Sequence, residues 1–180
     1  MPNIVYIATS LDGYIAKKDG GIDWLLEIPN PEESDFGFGE FMKNIDAVVM
    51  GRNTFEIVAS FDIWPYPKPV FVLSSTLNSV SEKYIGKVEL IKGDPLSVVK
   101  ELNSRNYFNL YIDGGKTIQA FLKLNLIDEM TITQIPILLG DGIPLFGSLA
   151  KEQKFKLIKS EVLINALVKN HYIKIKTWNV

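Results

Sequence analysis

Val48-Val49-Met50-Gly51-Arg52-Asn53-Thr54-Phe55-Glu56 is the stretch that decides the fold. The run from Ala47 to Met50 is apolar without interruption, as expected of a strand covered on both faces. It passes directly into Gly-Arg-Asn-Thr, after which a helical pattern begins. Such a junction presents free backbone N–H groups at a helix N-terminus, which attract anions. Gly51 lets a phosphate approach the backbone, Thr54 adds a hydroxyl donor and Asn53 lies between them. Arg52 adds a planar, permanently charged fork. The competing reading of the same residues is a plain helix start with Arg52 in solvent.

Working outward, the pattern recurs. Val70-Phe71-Val72-Leu73 ends in Ser74-Ser75, and Leu110-Tyr111-Ile112 ends in Asp113-Gly114-Gly115-Lys116-Thr117. Paired glycines permit close backbone approach, although a tight turn before a helix would use them equally well. Ligands of open α/β sheets collect outside the carboxyl ends of the strands. Three such ends with hydroxyls, glycines and cations suit an extended dinucleotide. Ile4 to Ala8 reads as a first strand, followed by turn chemistry at Ser10-Leu11-Asp12-Gly13. Asp94 caps a helix opened by Pro95, with Val98, Val99 and Leu102 on one face. Gly115 opens another, with Ile118, Phe121 and Leu122 inward. Met130 to Ile135, Phe155 to Ile164 and Leu167 to Trp178 alternate apolar with polar residues. These predict antiparallel strands, the last two joined by a hairpin turn at Asn165-Ala166. Trp64-Pro65-Tyr66-Pro67-Lys68-Pro69 reads as a rigid connector from helix to strand, and His171 as a surface or edge-strand residue. The whole, residues 1–180, reads as a single α/β domain. Its central mixed sheet is mostly parallel, wrapped by helices and closed at one edge by an antiparallel hairpin.

Composition narrows the chemistry. The 180 residues are 47% hydrophobic and 22% charged, with a net charge of −2 and no basic blocks, which argues against a nucleic-acid or anionic-lipid partner. No apolar run reaches the roughly 20 residues that a bilayer requires, and no basic segment precedes an apolar stretch at the N-terminus. The expectation is a cytoplasmic protein that handles a small molecule. The absence of cysteine excludes thiolate catalysis, disulfides and thiolate metal sites, and one histidine leaves no histidine cluster for a metal.

The Val48–Glu56 segment resembles the Val-Ile-Met-Gly-Arg-x-Thr-Trp/Phe-Glu segment of dihydrofolate reductases. Tyr6-Ile7-Ala8-Thr9-Ser10-Leu11-Asp12-Gly13-Tyr14-Ile15-Ala16 is similar to the first strand and loop of that superfamily. Its Ser-Leu-Asp-Gly wording is nearest to the pyrimidine reductase of riboflavin biosynthesis, the C-terminal half of a bifunctional deaminase-reductase. Leu126-Ile127-Asp128-Glu129 and Pro136-Ile137-Leu138-Leu139-Gly140-Asp141-Gly142-Ile143-Pro144-Leu145-Phe146 resemble the same branch. The pieces occur in the family's order through nearly the whole chain. The resemblance implies a dihydrofolate-reductase-like three-layer α/β/α fold and an NADPH-dependent reductase acting on a pyrimidine- or pterin-type heterocycle. Dihydrofolate is the alternative substrate, and a protein that holds NADP without turnover is the alternative from another class.

By that resemblance, Ala8 and Ile15 contact the nicotinamide carboxamide, while Gly51, Arg52, Asn53 and Thr54 hold the pyrophosphate and 2′-phosphate. Leu73, Ser74 and Ser75 lie along the adenosine. Gly114, Gly115, Lys116, Thr117 and Ile118 lie under the pyrophosphate, with a cis peptide joining the two glycines. Asp113 takes the position of a substrate-facing glutamate. Asp35, counted back from Gly51 without gaps, takes that of the ring-binding carboxylate, and a shift of two residues puts Gly37 there instead. Trp24 walls the pocket or packs on Ile22 and Leu25. The zinc-binding deaminase half has no counterpart, and a substrate phosphate would rely on lysines such as Lys17 and Lys18, since Arg52 and Arg105 are the only arginines. The resemblance further implies a homodimer through the long C-terminal strands and the Ile135–Phe146 segment.

Overall fold

Strict alternation along the central strands sorts their side chains between two cores. Ala47 and Val49 join one cluster with Phe71, Leu110 and Ile112, and Val48 and Met50 join another with Val70, Val72 and Tyr111. A strand that is apolar at every position is therefore covered on both sides. The computed structural model describes residues 1–177.

In chain order the elements are β1 (Asn3–Ser10), β2 (Tyr14–Ala16), α1 (Asp23–Leu26), α2 (Phe38–Lys43), β3 (Ala47–Gly51), α3 (Arg52–Ala59) and β4 (Val70–Leu73). There follow β5 (Val88–Ile91), α4 (Pro95–Ser104), β6 (Leu110–Asp113), α5 (Gly115–Lys123), β7 (Glu129–Ile135), β8 (Ile143–Pro144), β9 (Lys154–Leu163) and β10 (Leu167–Ile175). One eight-stranded sheet has the order β5-β4-β3-β6-β1-β7-β10-β9, and β2 pairs with β8 in a small second sheet. The pairings from β5 through β7 are all parallel, and β10 runs antiparallel to both of its neighbours. Val98 and Leu102 of α4 and Ile118, Phe121 and Leu122 of α5 cover one face; Met42 of α2 and Phe55 and Val58 of α3 cover the other. This is the expected three-layer α/β/α arrangement with a mixed sheet.

Local signals explain several ends. Asp94 Oδ1 accepts from the N–H groups of Leu96 and Ser97 at 3.0 and 3.2 Å, capping α4 ahead of Pro95. The C-terminal hairpin turns one residue earlier than expected. Ala166 N donates to Leu163 O, and the central positions are Ile164 (φ 47°) and Asn165 (φ 55°). Two consecutive left-handed residues match the right-handed twist of a hairpin, and a β-branched residue there is an outlier, so Asn165-Ala166 carries the stronger turn signal in the sequence. His171 is not on an edge strand, because β9 covers β10 on that side; its Nε2 lies 3.1 Å from Glu129 Oε2 on β7. The Gly114–Gly115 peptide is trans, contrary to the expected cis bond. Trp178, the expected end of the last strand, lies outside the described residues. No helix among the described residues is long and apolar enough to cross a membrane.

Candidate active site

The adjacent parallel strands β3 and β6 release the chain in opposite directions. From β3 the chain enters α3 on one face of the sheet, and from β6 it enters α5 on the other. The crossover from β3 leads to β4 on one side, and that from β6 leads past β1 to β7 on the other. This is a topological switch point, where an open α/β sheet leaves a crevice at its carboxyl ends. Neither α3 nor α5 has a side-chain cap at its N-terminus, so their first N–H groups face the crevice without one.

Glycine at both strand ends has a packing reason. A Cβ on Gly51 would stand 2.9 Å from Thr117 Oγ1, and one on Gly114 would meet the Thr54 side chain, its Cβ at 3.1 Å. Each helix-start threonine thus leans over the other strand's glycine. Gly114 also holds φ +87°, which only glycine adopts cheaply. A Cβ on Gly115 would meet Ile15 Cδ1 at 2.7 Å. The structure therefore brings Gly51, Thr54, Gly114, Gly115, Thr117 and Ile15 together. Asn53 and Lys116 are exposed beside them, and Ile118 is fully buried in the core, leaving only its backbone to reach a ligand.

Arg52 is neither free nor buried. Its Nε donates to Glu56 Oε1 at 2.6 Å, and its Nη1 to Thr76 Oγ1 at 3.3 Å. Thr76, just past Ser75, was not foreseen; the run Ser74-Ser75-Thr76 was its only sequence signal. Ser74 is buried and spends its hydroxyl on its own turn, accepting from the N–H groups of Thr76 and Leu77. Ser75 remains exposed, and Leu73 packs on the core.

A cavity of about 260 Å³ lies on the α2 face of the sheet, with Tyr6 and Ala8 of β1, Tyr111 of β6, Phe38 and Thr133 among its walls. Asp35 stands at its rim. The Asp35 carboxylate accepts from Gly39 N and Gly37 N, both at 2.8 Å, and these two bonds hold it below the usual carboxylate range. Asp35 therefore shapes the start of α2 as well as edging the cavity. The Tyr6 hydroxyl donates to Phe36 O at 2.8 Å; burial, followed by the charges of Asp35 and Glu161, pushes it up to about 12. Trp24 is only 2% exposed and packs behind the cavity on Ile135 and Leu167, with Leu25 beside it. A larger cavity, about 690 Å³, opens at the opposite end of the sheet among Asn125, Asp128 and Lys174, away from all these residues.

Asp113 ends β6 at the crevice, two residues beyond Tyr111 and on the same face. Its Oδ2 accepts from the Tyr66 hydroxyl at 2.6 Å. Burial raises the Asp113 carboxyl above its ordinary value, against the opposing hydrogen bonds from the Tyr66 hydroxyl and the Gly114 backbone. Tyr66 was missed as a site residue because the contact spans 47 positions.

The first loop is laced to the 136–146 segment. Ser10 Oγ donates to Asp12 Oδ1 at 2.6 Å, while Leu139 N and Gly140 N donate to the Asp12 carboxylate at 3.2 and 2.8 Å. Leu11 N donates to Ile137 O and Leu145 N to Gly13 O. The two segments whose wording is nearest to the riboflavin branch thus clasp each other and bring Ile15 over Gly115.

The sheet order, the two helix layers and the switch-point crevice define a dihydrofolate-reductase-like α/β protein. Dihydrofolate reductase from Enterococcus faecalis, solved in complex with NADP(H), shares this fold at TM-score 0.64 and 17% identity, over 96% of each chain. Residues 4–169 match the RibD C-terminal domain, and the chain belongs to that family. A Shewanella sp. PV-4 protein provisionally named for riboflavin biosynthesis is 54% identical, with TM-score 0.94 over 98% of this chain and 100% of its own. The uncharacterized protein YwjB of Bacillus subtilis (strain 168) is 37% identical over 174 residues, 95% of this chain and 97% of its own.

Proposed function

We propose that the chain is an NADPH-dependent reductase that delivers hydride to a substrate of the pyrimidine or pterin type. A ribosylaminopyrimidine phosphate is the first candidate substrate and dihydrofolate the second. Membership of the RibD C-terminal family supports a reductase of the riboflavin-pathway type. The observation that carries the cofactor reading is the crevice between β3 and β6. Its two helix starts and its glycine-threonine packing suit a dinucleotide pyrophosphate, and Arg52 with Thr76 beside it suits a 2′-phosphate.

NADPH, when bound, supplies the hydride. The chain's own part is to hold the pyrophosphate at Gly51, Thr54, Gly114 and Thr117, and the adenosine end at Arg52, Ser75 and Thr76. It must also fix the heterocycle and keep water away. The cavity's aromatic walls suit a flat ring, and Asp35 at its rim suits a ring edge that donates hydrogen bonds. Reducing a C=N or C=O bond also requires a proton at the heteroatom. Asp113, whose carboxyl burial favours keeping its proton, is the group suited to supply it.

The test is purified protein with NADPH, following nicotinamide absorbance with the ribosylaminopyrimidine phosphate and with dihydrofolate in turn. Oxidation with the first is the expected result, and oxidation with dihydrofolate alone moves the chain to the second substrate. Absence of NADPH binding by fluorescence and by thermal shift overturns the reading.

A further inference from the structure

The proline-rich connector between α3 and β4 contains the residue that meets Asp113. Pro65 and Pro67 flank Tyr66, and Pro67 confines the Tyr66 backbone to extended conformations. The ring is 9% exposed and packs edge-on against Trp64 at 5.5 Å and Phe38 at 6.4 Å. Its hydroxyl points through this aromatic wall to Asp113 Oδ2 at 2.6 Å. A surface connector has no packing need for an inward tyrosine whose hydroxyl reaches a carboxylate at the end of a central strand. A phenylalanine would fill the same aromatic space.

We propose that Tyr66 is a positioning residue of the reductase: held by its two prolines, its hydroxyl fixes one oxygen of Asp113 and turns the other toward the substrate in the crevice. The inference rests on the reductase reading above. The step it serves adds hydride to the substrate carbon and a proton from Asp113 to the adjoining heteroatom, leaving Asp113 as the carboxylate and the nicotinamide oxidised. The titratable groups facing Asp113 are Tyr66 and Tyr111, with Tyr6 beyond Tyr111. Tyr111 is otherwise occupied, its hydroxyl donating to Tyr6 O at 2.9 Å, so Tyr66 is the residue whose hydroxyl is committed to the carboxylate.

Two measurements on Tyr66→Phe test this, with Asp113→Asn alongside. The first is melting temperature against pH, which needs no substrate. The Asp113 carboxyl, raised by burial, stabilises the fold while protonated, and that contribution fades as pH rises through its folded value. Removing the Tyr66 hydroxyl removes a bond that lowers this value, so the fading moves to higher pH in Tyr66→Phe and disappears in Asp113→Asn. The second is turnover with the substrate that the wild type reduces. The expected result is a kcat lowered about tenfold or more, an NADPH Kd within about twofold of wild type, and a basic limb of the kcat profile moved to higher pH. A shifted melting profile with an unchanged kcat profile overturns the positioning role and leaves Tyr66 a structural residue. Unchanged behaviour in both overturns the contact itself. Failure of wild type to oxidise NADPH at all overturns the reductase reading, and this inference with it, and is seen separately in the wild-type control.

Discussion

At the residue scale, Arg52 shows how a charge can be held without being used up. Glu56 one turn along takes the Nε–H, and Thr76 takes one Nη1–H. A guanidinium has five donors, so the pair orients the fork and leaves N–H groups for an anion. Arg52→Ala should therefore weaken NADPH by roughly 10- to 150-fold, the range expected for charged hydrogen bonds, and NADH by much less. Dissociation constants for both cofactors, measured by nicotinamide fluorescence, check it. Equal losses would remove the 2′-phosphate from this corner of the crevice.

At the element scale, legibility followed the physics that shaped each segment. Strands β3, β4 and β6 could be read because burial on both faces admits only apolar residues, and α4 because Asp94 and Pro95 mark its start. The small sheet of β2 and β8 could not, since strands of three and two residues carry no periodicity. The crevice residues were legible as types at strand ends, but the interlock of Thr54 over Gly114 and Thr117 over Gly51 is a relation between distant segments. Tyr66 illustrates the limit: its prolines announced rigidity, while the carboxylate it contacts lies at the end of β6, 47 positions away. The cap of α4 is built from Asp94, Leu96 and Ser97 and uses none of the crevice residues, which separates stability from binding. The Asp94 carboxylate is held below its ordinary value by the Ser97 side chain and then by the Ser97 and Leu96 N–H groups. A depressed carboxylate stabilises the fold above its unfolded pKa, and the contribution is lost as pH falls through the folded value. Asp94→Ala should thus lower the melting temperature by a few degrees near neutral pH and by less in acid, with NADPH affinity unchanged. Loss of affinity in that variant would show that α4 and the crevice are coupled.

At the scale of the whole molecule, the sheet ends unevenly. Strand β5 forms one edge with four residues, whereas β9 forms the other with ten. A long edge strand leaves a row of unpaired N–H and C=O groups, and natural edges are usually blunted by charge or by a cover. Here Lys154, Lys156 and Lys159 supply charge, yet Leu157, Ile158 and Val162 on the same strand are 49%, 50% and 67% exposed. The register shift at His171/Tyr172 leaves Ile158 of β9 without a partner on β10, and it and its neighbour Leu157 are both half exposed. We propose that a second copy of the chain covers this hairpin; the resemblance to the riboflavin branch implied a homodimer through the long C-terminal strands together with the Ile135–Phe146 segment. The lysines disfavour indiscriminate strand addition, and the apolar side chains supply what a specific contact buries. Sedimentation equilibrium should give a mass of two chains. Val162→Lys should bring it to one chain while keeping the NADPH dissociation constant within about twofold, because β9 lies five strands from β3 across the sheet. A wild-type mass of one chain would sink the dimer, and a variant that stays dimeric would move the interface off this edge.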